Sequence, residues 1–322
     1  MPAPRDDSAG PAGLTAAIDI GGTKIAGALV HPDGTMTGTT RRPTPRGVDG
    51  DGVMAAVAEV VADLARDPAW PAVRRCGIGS AGPVDAVRGT VSPVNIAAWR
   101  DYPVLARTRA ALAAHGAPVP AVLVGDGVAM TAAEHWLGAA RNHADALCMV
   151  VSTGVGGGLV LGGRLHPGPT GNAGHIGHIS VDFDGTECVC GGRGCVEAVA
   201  SGTAIARWAL AQGWDGPDRT AAGVAAAART GDPVALAAFD RAGRALAAAI
   251  AATATLVETD IAVIGGGVAA AGDTLFGPVR AHLGTYATLG FVGGLTVVPA
   301  ALGNDAGLIG AAAAAAELLA GS

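Results

Sequence analysis

Short apolar runs that end in glycine turns are the dominant pattern of this chain. Residues 14–19 form one such run, Gly21 and Gly22 follow it, and the apolar pattern resumes over residues 25–30. Apolar runs of this length, bounded by turn-forming residues, indicate strands. The pattern therefore predicts two strands joined by a tight glycine turn.

A second unit of the same kind lies near the middle of the chain. Residues 146–152 and 159–161 are apolar and flank a glycine-rich turn at residues 153–158. A third strand, predicted at residues 261–264, leads into three consecutive glycines. The repetition indicates a duplicated plan, with one strand–turn–strand unit in each half of the chain.

The segments between these units have helical patterns or contain further apolar runs. They predict helices at 53–65, 104–115 and 129–137, and strands at 75–80 and 121–124. Strands that alternate with helices are typical of the α/β fold class.

Composition narrows the class of protein. A length of 322 residues suits two domains of about 150 residues each. Half of the residues are hydrophobic and 15% are charged, which is typical of compact globular proteins. The net charge of −6 argues against nucleic-acid binding.

The longest apolar runs, 245–257 and 308–320, are too short to span a membrane. Residues 1–13 are polar and proline-rich, so we expect a disordered tail without an export signal, and a cytoplasmic protein.

A cluster of cysteines provides the strongest chemical signal. Cys188, Cys190 and Cys195 lie close together in a glycine-rich segment, and His178 precedes them. Three thiolates and one imidazole form a standard ligand set for a closed tetrahedral zinc site. Four protein ligands leave no position for substrate, so such a zinc would be structural. The alternatives are reduced core cysteines or a disulfide, which a reducing cytoplasm disfavours.

Five motifs follow one another along nearly the whole chain. They are DIGGTK at 19–24, STGVGGG at 152–158, GNAGHIGH at 171–178, C-x-C-G-x-x-G-C-x-E at 188–197 and IGGGV at 264–268. In kind and order they resemble the ROK family (repressors, open reading frames and sugar kinases). The resemblance implies two ribonuclease-H-like domains of the actin and hexokinase type with a cleft between them. We expect an N-terminal domain of residues 14–125 plus 303–322, and a larger C-terminal domain of residues 126–302.

The resemblance also implies that ATP and Mg²⁺ bind at the glycine turns. Asp19 would help to position Mg²⁺, and the glycines let backbone amides approach phosphate oxygens. The alternatives are a plain hairpin turn with an exposed aspartate and, for Lys24, a solvated side chain. The candidate nucleotide-binding residues are Asp19, Gly21, Gly22, Thr23, Lys24, Thr153, Gly154, Gly156, Gly265, Gly266 and Gly267.

Asp126 is the candidate catalytic residue. It follows the predicted strand at 121–124, where a carboxylate could accept the proton of a sugar hydroxyl as that oxygen attacks the γ-phosphate. The alternative role is that of a helix N-cap, because a helix follows.

The sugar-binding residues depart from the common ROK pattern. The family commonly has N-D-x-N around the catalytic aspartate, whereas here Gly125 precedes Asp126. The common E-x-G-H is replaced by a His-x-Gly-His version that resembles bacterial N-acetylmannosamine kinases. His178 is a candidate for both metal and sugar contacts. Asn95 and Trp99 lie in one predicted loop, which is a candidate to line the cleft. The candidate substrate-binding residues are Asn95, Gly125, Asp126, His175, His178 and Glu197.

These features predict an ATP-dependent kinase that phosphorylates the 6-hydroxyl of a hexose. Loss of an asparagine partner at residue 125 favours an amino or N-acyl hexose, of N-acetylmannosamine or kanosamine type, over ordinary glucose. The alternatives are a sugar-responsive repressor, for which we expect too few residues before Asp19, and a sugar sensor without catalysis. Polyphosphate is the alternative phosphate donor. Family analogy implies a homodimer.

Overall fold

The computed structural model describes residues 13–320. The strands are β1 (Leu14–Ile20), β2 (Lys24–Val30), β3 (Met36–Pro43), β4 (Val73–Ser80), β5 (Val84–Asp85), β6 (Thr90–Val91), β7 (Ala121–Gly125), β8 (Ala146–Val151), β9 (Val155–Leu161), β10 (Arg164–His166), β11 (Ile261–Gly265) and β12 (Thr296–Pro299). The helices are α1 (Gly50–Leu64), α2 (Val104–Ala114), α3 (Asp126–Trp136), α4 (Val196–Ala200), α5 (Gly202–Ala211), α6 (Ala221–Arg229), α7 (Pro233–Val257), α8 (Asp273–Tyr286) and α9 (Ala306–Ala320).

The predicted tail at residues 1–13 lies outside the described residues, apart from Gly13. Within residues 13–320, none of the helices combines the length and the apolar character that a membrane crossing requires.

The chain divides into two compact units that share one sheet plan. The described part of unit 1 comprises residues 13–137, 167–173 and 304–320, and unit 2 comprises residues 138–166 and 174–303. The sheet of unit 1 has the order β3-β2-β1-β4-β7, and that of unit 2 has the order β10-β9-β8-β11-β12. In both sheets the first three strands are antiparallel and the last three are parallel. The duplicated plan expected from the sequence is therefore present at the level of strand order.

Helix α1 covers one face of the sheet in unit 1. Asp49 caps its N-terminus, because the Asp49 side chain accepts a hydrogen bond from the amide of Gly52. Val53, Val57 and Val60 are among its buried residues, and their spacing of three or four places them on one helical face. That face packs against β2, where Gly27 leaves room for the Val60 side chain.

Helix α9 returns to unit 1 and packs against β4 and α3. A Cβ atom on Gly77 would lie 1.8 Å from the carbonyl oxygen of Ala311, and one on Gly310 would lie 1.7 Å from that of Ala129. These two glycines therefore permit close backbone approach on both sides of α9. Because α3 packs against α9, the division falls after Leu137, whereas the sequence prediction placed it after Gly125.

Residues 167–173 also lie in unit 1, although their neighbours in sequence lie in unit 2. The amide of Val84 donates to the side-chain oxygen of Asn172 at 3.2 Å, and the amide of Ala86 donates to the carbonyl of Thr170 at 3.0 Å. These bonds hold the segment beside β5, and the domain boundaries expected from the sequence did not include this exchange.

The core of unit 2 is built around the long helix α7. Asp232 caps its start by accepting a hydrogen bond from the amide of Ala235, and Pro233 occupies the first turn, a position that suits proline because its missing N–H has no helical partner. Phe239 and Ile250 are buried on α7. Gly243 allows α8 to approach closely at Pro278.

Several elements differ from the sequence prediction. The turn after β8 is shorter than residues 153–158, because β9 begins at Val155 and Gly156 pairs with Val150. Strand β3 was not predicted, since its residues are mostly polar and exposed. The helices α4, α5, α6 and α8 were also not predicted, because alanine-rich stretches with glycine or proline give a weak periodic signal.

Candidate functional site

The parallel strands of unit 1 bring the candidate acidic residues to one edge of the sheet. In the register of β1, β4 and β7, Ile20 lies opposite Ser80, and Ser80 lies opposite Gly125. Parallel strands have their carboxyl ends at the same edge, so Asp19 and Asp126 both lie at this edge. Residues more than 100 positions apart in sequence are thus neighbours in one unit.

Asp19 occupies a half-buried position near the end of β1. Its carboxylate packs against α9, where a Cβ on Gly307 would lie 2.7 Å from Oδ2 of Asp19. The pKa of Asp19 is raised from 3.8 to about 6, because burial and the negative charge of Asp126 together outweigh the opposing effect of Lys24. The ionised form of Asp19 is therefore energetically unfavourable here without a cation.

Asp126 is the first residue of α3, and its side chain is exposed. Gly125 occupies the N-cap position, and Oδ1 of Asp126 accepts a hydrogen bond from the amide of Gly127 at 2.7 Å. The side chain thus satisfies one of the free amides of the first turn, while its exposure leaves the carboxylate accessible. Asp126 is therefore not the N-cap residue, and its contact with the amide of Gly127 is compatible with a catalytic role.

The turn between β1 and β2 presents only some of the expected amide donors. The amide of Gly21 donates to the carbonyl of Lys24 at 2.9 Å, so the hairpin itself uses that donor. Thr44 Oγ1 donates to the carbonyl of Gly21 at 2.6 Å. Among residues 13–320, the amides of Gly22 and Thr23 have no hydrogen-bond acceptor. These two amides are the donors that remain for a ligand.

The two residues of the predicted substrate loop have different environments. Asn95 is exposed, and its side chain lies against the glycine turn, where a Cβ on Gly22 would be 2.7 Å from Cγ of Asn95. Trp99 is fully buried, stacks on Tyr102 and donates from Nε1 to the carbonyl of Gly50. The interpretation of Trp99 as a cleft residue was therefore wrong, because its ring belongs to the core of unit 1.

The second and third glycine motifs meet at the corresponding edge of unit 2. Strands β8 and β11 are parallel, so the turn after Val151 and the glycines after Ile264 lie at the same edge. Gly266 has φ +88°, and a Cβ there would be 2.4 Å from the carbonyl oxygen of Val151. The candidates at this edge are Thr153, Gly154, Gly265, Gly266 and Gly267, whereas Gly156 lies within β9.

Glu197 contacts the turn after β8. Its Oε2 accepts a hydrogen bond from the amide of Val155 at 2.8 Å. A Cβ on Gly154 would be 2.5 Å from the same oxygen, so glycine at this position permits the contact. The sequence reasoning assigned Glu197 to the sugar and missed this link to the turn.

Residues at the start of α5 also hold this turn and were missed. The amide of Gly202 donates to the carbonyl of Ser152 at 2.7 Å, and Oγ1 of Thr203 donates to the carbonyl of Thr153 at 3.1 Å. The sequence contains no signal for these contacts beyond Ser201, which precedes a helix as N-cap residues do. Gly307, which borders Asp19, was also missed, because the sequence contains no signal for that contact.

His178, Cys188, Cys190 and Cys195 converge as the sequence predicted. One potential ligand atom from each residue lies within 4.8 Å of all the others. The Sγ atoms of Cys190 and Cys195 are 3.7 Å apart, and Sγ of Cys188 is 3.8 Å from Nδ1 of His178. Ligands at about 2.3 Å from a tetrahedral zinc would be about 3.8 Å apart, so the donor set and spacing fit such an ion.

Glycines shape the backbone of this cluster. Gly191 and Gly194 have φ of +86° and +67°, and a Cβ on Gly194 would be 1.6 Å from the carbonyl oxygen of Asp182. Burial, together with the neighbouring Cys190 and Cys188, raises the pKa of the Cys195 thiol to about 12, whereas the amide of Gly192 lowers the pKa of Cys190. A bound cation would be needed to hold Cys195 as a thiolate near neutral pH.

His175 lies beside His178, with ring centroids 6.1 Å apart, and both side chains are exposed. Together with Glu197, these histidines belong to unit 2, whereas Asn95, Gly125 and Asp126 belong to unit 1.

Comparison with known proteins identifies the family. The model of the ROK family matches residues 15–317. The glucokinase of Thermotoga maritima is 36% identical over 319 residues, which cover 94% of this chain and 98% of that protein. The N-acetylmannosamine kinase of Yersinia pseudotuberculosis is 37% identical over 297 residues, which cover 92% and 96%.

Solved structures confirm the predicted fold class. A ROK family glucokinase from Streptomyces griseus, in complex with glucose and AMPPNP, matches with a TM-score of 0.76 and 34% identity over 94% of this chain and 99% of that one. A ROK family transcriptional regulator, a homologue of the E. coli MLC protein, matches with a TM-score of 0.81 and 25% identity over 93% and 77%. The two α/β units have the actin and hexokinase type of fold. With its motifs, its paired sheets and these matches, the chain belongs to the ROK family.

Proposed function

We propose that this protein is a kinase that transfers the γ-phosphoryl group of ATP to the 6-hydroxyl of a hexose or of an amino or N-acyl hexose. The observation that carries the proposal is the pairing of Asp19 and Asp126 at one sheet edge, close enough for the charge of Asp126 to raise the pKa of Asp19. The glucokinase and N-acetylmannosamine kinase relatives support the reaction class. The AMPPNP complex of the Streptomyces griseus glucokinase supports a nucleotide as phosphate donor.

Asp126 acts as the general base in this mechanism. Its exposed carboxylate accepts the proton of the sugar hydroxyl as that oxygen forms a bond to the γ-phosphorus. The bond from the γ-phosphorus to the bridging oxygen breaks, and the electron pair leaves with ADP. Because phosphoryl transfer depends mainly on positioning and charge stabilisation, one base and well-placed donors suffice.

Asp19 is the candidate Mg²⁺ partner. Its half-buried carboxylate has a raised pKa and a negative neighbour, an arrangement that a divalent cation would stabilise. When bound, Mg²⁺ would neutralise charge on the phosphate oxygens. The amides of Gly22 and Thr23 and those of the turn after β8 are the proposed phosphate donors.

The space at Gly125 supports a substituted hexose as substrate. A Cβ on Gly125 would have no heavy atom within 4 Å, so the residue leaves open volume beside Asp126. A sugar that carries an amino or acyl substituent can use such volume, whereas a glucose site gains from a polar partner there. His175, His178, Asn95 and Glu197 are the other proposed sugar contacts.

The direct test is ADP release with Mg²⁺ and ATP on a panel of glucose, mannose, N-acetylmannosamine, N-acetylglucosamine, glucosamine and kanosamine. We expect turnover of one substituted hexose above glucose, and none with polyphosphate in place of ATP. Calorimetric binding of a panel sugar without any turnover would contradict the kinase and support a sugar-sensing protein.

Gly125→Asn is expected to shift specificity toward glucose. The backbone at Gly125 has φ −68° and ψ 154°, which asparagine adopts readily as an N-cap. The added amide can pair with a sugar hydroxyl, so the ratio of kcat/KM for glucose to that for the preferred substituted hexose should rise about tenfold. Gly125→Ala, which fills space without a polar group, is the matched control. Equal ratios in both variants would contradict the role of residue 125.

We also propose that the four-residue cluster binds one structural zinc per chain. Cys188→Ser is expected to lower the zinc content, measured by elemental analysis, from about one to near zero per chain, because one ligand of a closed site is lost. Cys148→Ser, a buried cysteine in β8 outside the cluster, is the control and should retain the metal. A zinc content near zero in the unmodified protein would overturn the assignment.

A further inference from the structure

The backbone of Val155 is held from two sides by residues close to the candidate metal ligands. On its amide side, Oε2 of Glu197 accepts the hydrogen bond from Val155 N. On its carbonyl side, the backbone of Gly177 packs so closely that a Cβ there would be 2.0 Å from the Val155 oxygen. Val155 is the first residue of β9 and the last residue of the turn formed by residues 152–155.

Both contacts are one or two residues from a metal-ligand candidate. Gly177 directly precedes His178, and Glu197 follows Cys195 by two residues. The two segments also bond to each other, since the amide of Val196 donates to the carbonyl of Ile179 at 3.0 Å. An ion held by His178 and Cys195 would therefore fix the segments that enclose Val155.

The chain that follows Glu197 holds the rest of the turn. The amide of Ser201 donates to the carbonyl of Glu197, the amide of Gly202 donates to the carbonyl of Ser152, and Thr203 Oγ1 donates to the carbonyl of Thr153. Every residue of the turn except Gly154 thus bonds to the segment 197–203. Gly154 instead provides the space for the Glu197 carboxylate.

We propose that Glu197 and Thr203 are positioning residues for the turn formed by residues 152–155, and that metal occupancy sets nucleotide affinity through them. The inference rests on the proposed function, in which this turn binds the phosphates. A turn that is already ordered loses less conformational entropy when a ligand binds, so it binds more tightly. Ligation removes the freedom of residues 178–195, and the hydrogen bonds of segment 197–203 transmit that order to the turn.

The first test measures AMPPNP affinity by calorimetry without sugar. Glu197→Ala removes the acceptor for Val155 N and should raise the Kd about tenfold. Glu197→Gln keeps an acceptor oxygen and removes a negative charge near the phosphates, so its Kd should equal that of the unmodified protein or lie below it. A charge effect alone would make both variants bind more tightly, and that result would overturn the inference.

Thr203 provides an independent test of the proposal, because it is not among the proposed sugar contacts. Thr203→Val removes the hydroxyl that bonds to Thr153 and should raise the AMPPNP Kd about threefold, whereas Thr203→Ser should leave it unchanged. The Kd for sugar should be the same in all three proteins. An unchanged AMPPNP Kd in Thr203→Val would remove Thr203 from the proposal.

The second test removes the metal from the unmodified protein and from Glu197→Ala by chelation and gel filtration. Metal removal should raise the AMPPNP Kd of the unmodified protein about tenfold and that of Glu197→Ala less than twofold further. The two changes act through the same chain of contacts, so their effects on the free energy of binding are not additive. Circular dichroism identifies any preparation that has unfolded. Additive effects, or no effect of chelation, would overturn the coupling. No AMPPNP binding by the unmodified protein would instead contradict the proposed function.

Discussion

Asp126→Asn is expected to lower kcat by about three orders of magnitude while the Kd values for sugar and AMPPNP change little. A positioned general base contributes about 10²–10⁴-fold, and asparagine cannot accept the proton. The side-chain oxygen can still accept the hydrogen bond from Gly127, so the start of α3 should be retained. Coupled ADP release gives kcat, and calorimetry gives both Kd values.

Asp126→Glu is the matched control for this experiment. It keeps a carboxylate but moves it outward by one methylene, so we expect activity between that of the asparagine variant and that of the unmodified protein. Activity of Asp126→Asn within tenfold of the unmodified protein would show that another group takes the proton.

Asp19→Asn is expected to stabilise the fold and abolish catalysis. Burial and the charge of Asp126 raise the pKa of Asp19 from 3.8 to about 6, so ionisation of Asp19 costs stability that develops between these two pH values and is complete above about pH 6. The shift corresponds to about 3 kcal/mol at roughly 1.4 kcal/mol per unit, and partial exposure reduces the expected gain to about 2 kcal/mol. Without the carboxylate, kcat/KM for ATP should fall at least about a hundredfold, because the proposed Mg²⁺ partner is lost.

The pH dependence of this stabilisation has a defined sign. The folded protein binds the Asp19 proton more tightly than the unfolded chain, so ionisation destabilises the fold as pH rises from about 4 to about 6. The difference in free energy of unfolding between Asp19→Asn and the unmodified protein should therefore be near zero at pH 4 and reach its plateau above about pH 7. Urea denaturation of the full chain without Mg²⁺ at pH 4.5, 6 and 8 measures this difference. A difference that shrinks toward pH 8 would contradict the raised pKa.

Local patterns in the sequence were sufficient to predict most of the elements that form the site. The apolar runs before Gly21 and before Thr153 predicted β1 and β8, and the strand before Gly125 placed Asp126 at a carboxyl end. These predictions succeeded because buried parallel strands produce short, continuous apolar runs. The cysteine cluster was equally readable, because its donors and glycines lie close together in sequence.

Contacts between distant segments could not be read from the sequence. Gly307 borders Asp19 only because α9 returns to β1 after the whole of unit 2, and no spacing rule links these positions. The bond from Val155 to Glu197 likewise depends on how α4 packs beside β9. Trp99 was misassigned because an aromatic residue in a loop has the same local pattern whether it lines a pocket or enters the core.

The position of α9 also constrains the order in which the protein can fold during synthesis. Residues 304–320 complete unit 1, yet they leave the ribosome only after residues 174–303 of unit 2 have been made. Until then α9 cannot pack against β4 at Gly77 or against α3 at Ala129, so these faces stay unpacked. Unit 2 can acquire its structure while the nascent chain still lacks the last helix of unit 1. Unit 1, which carries both candidate acidic residues, is therefore the later of the two units to be completed. A chain stalled before residue 304 would have the whole of unit 2, including the candidate metal ligands, but a unit 1 without its last helix.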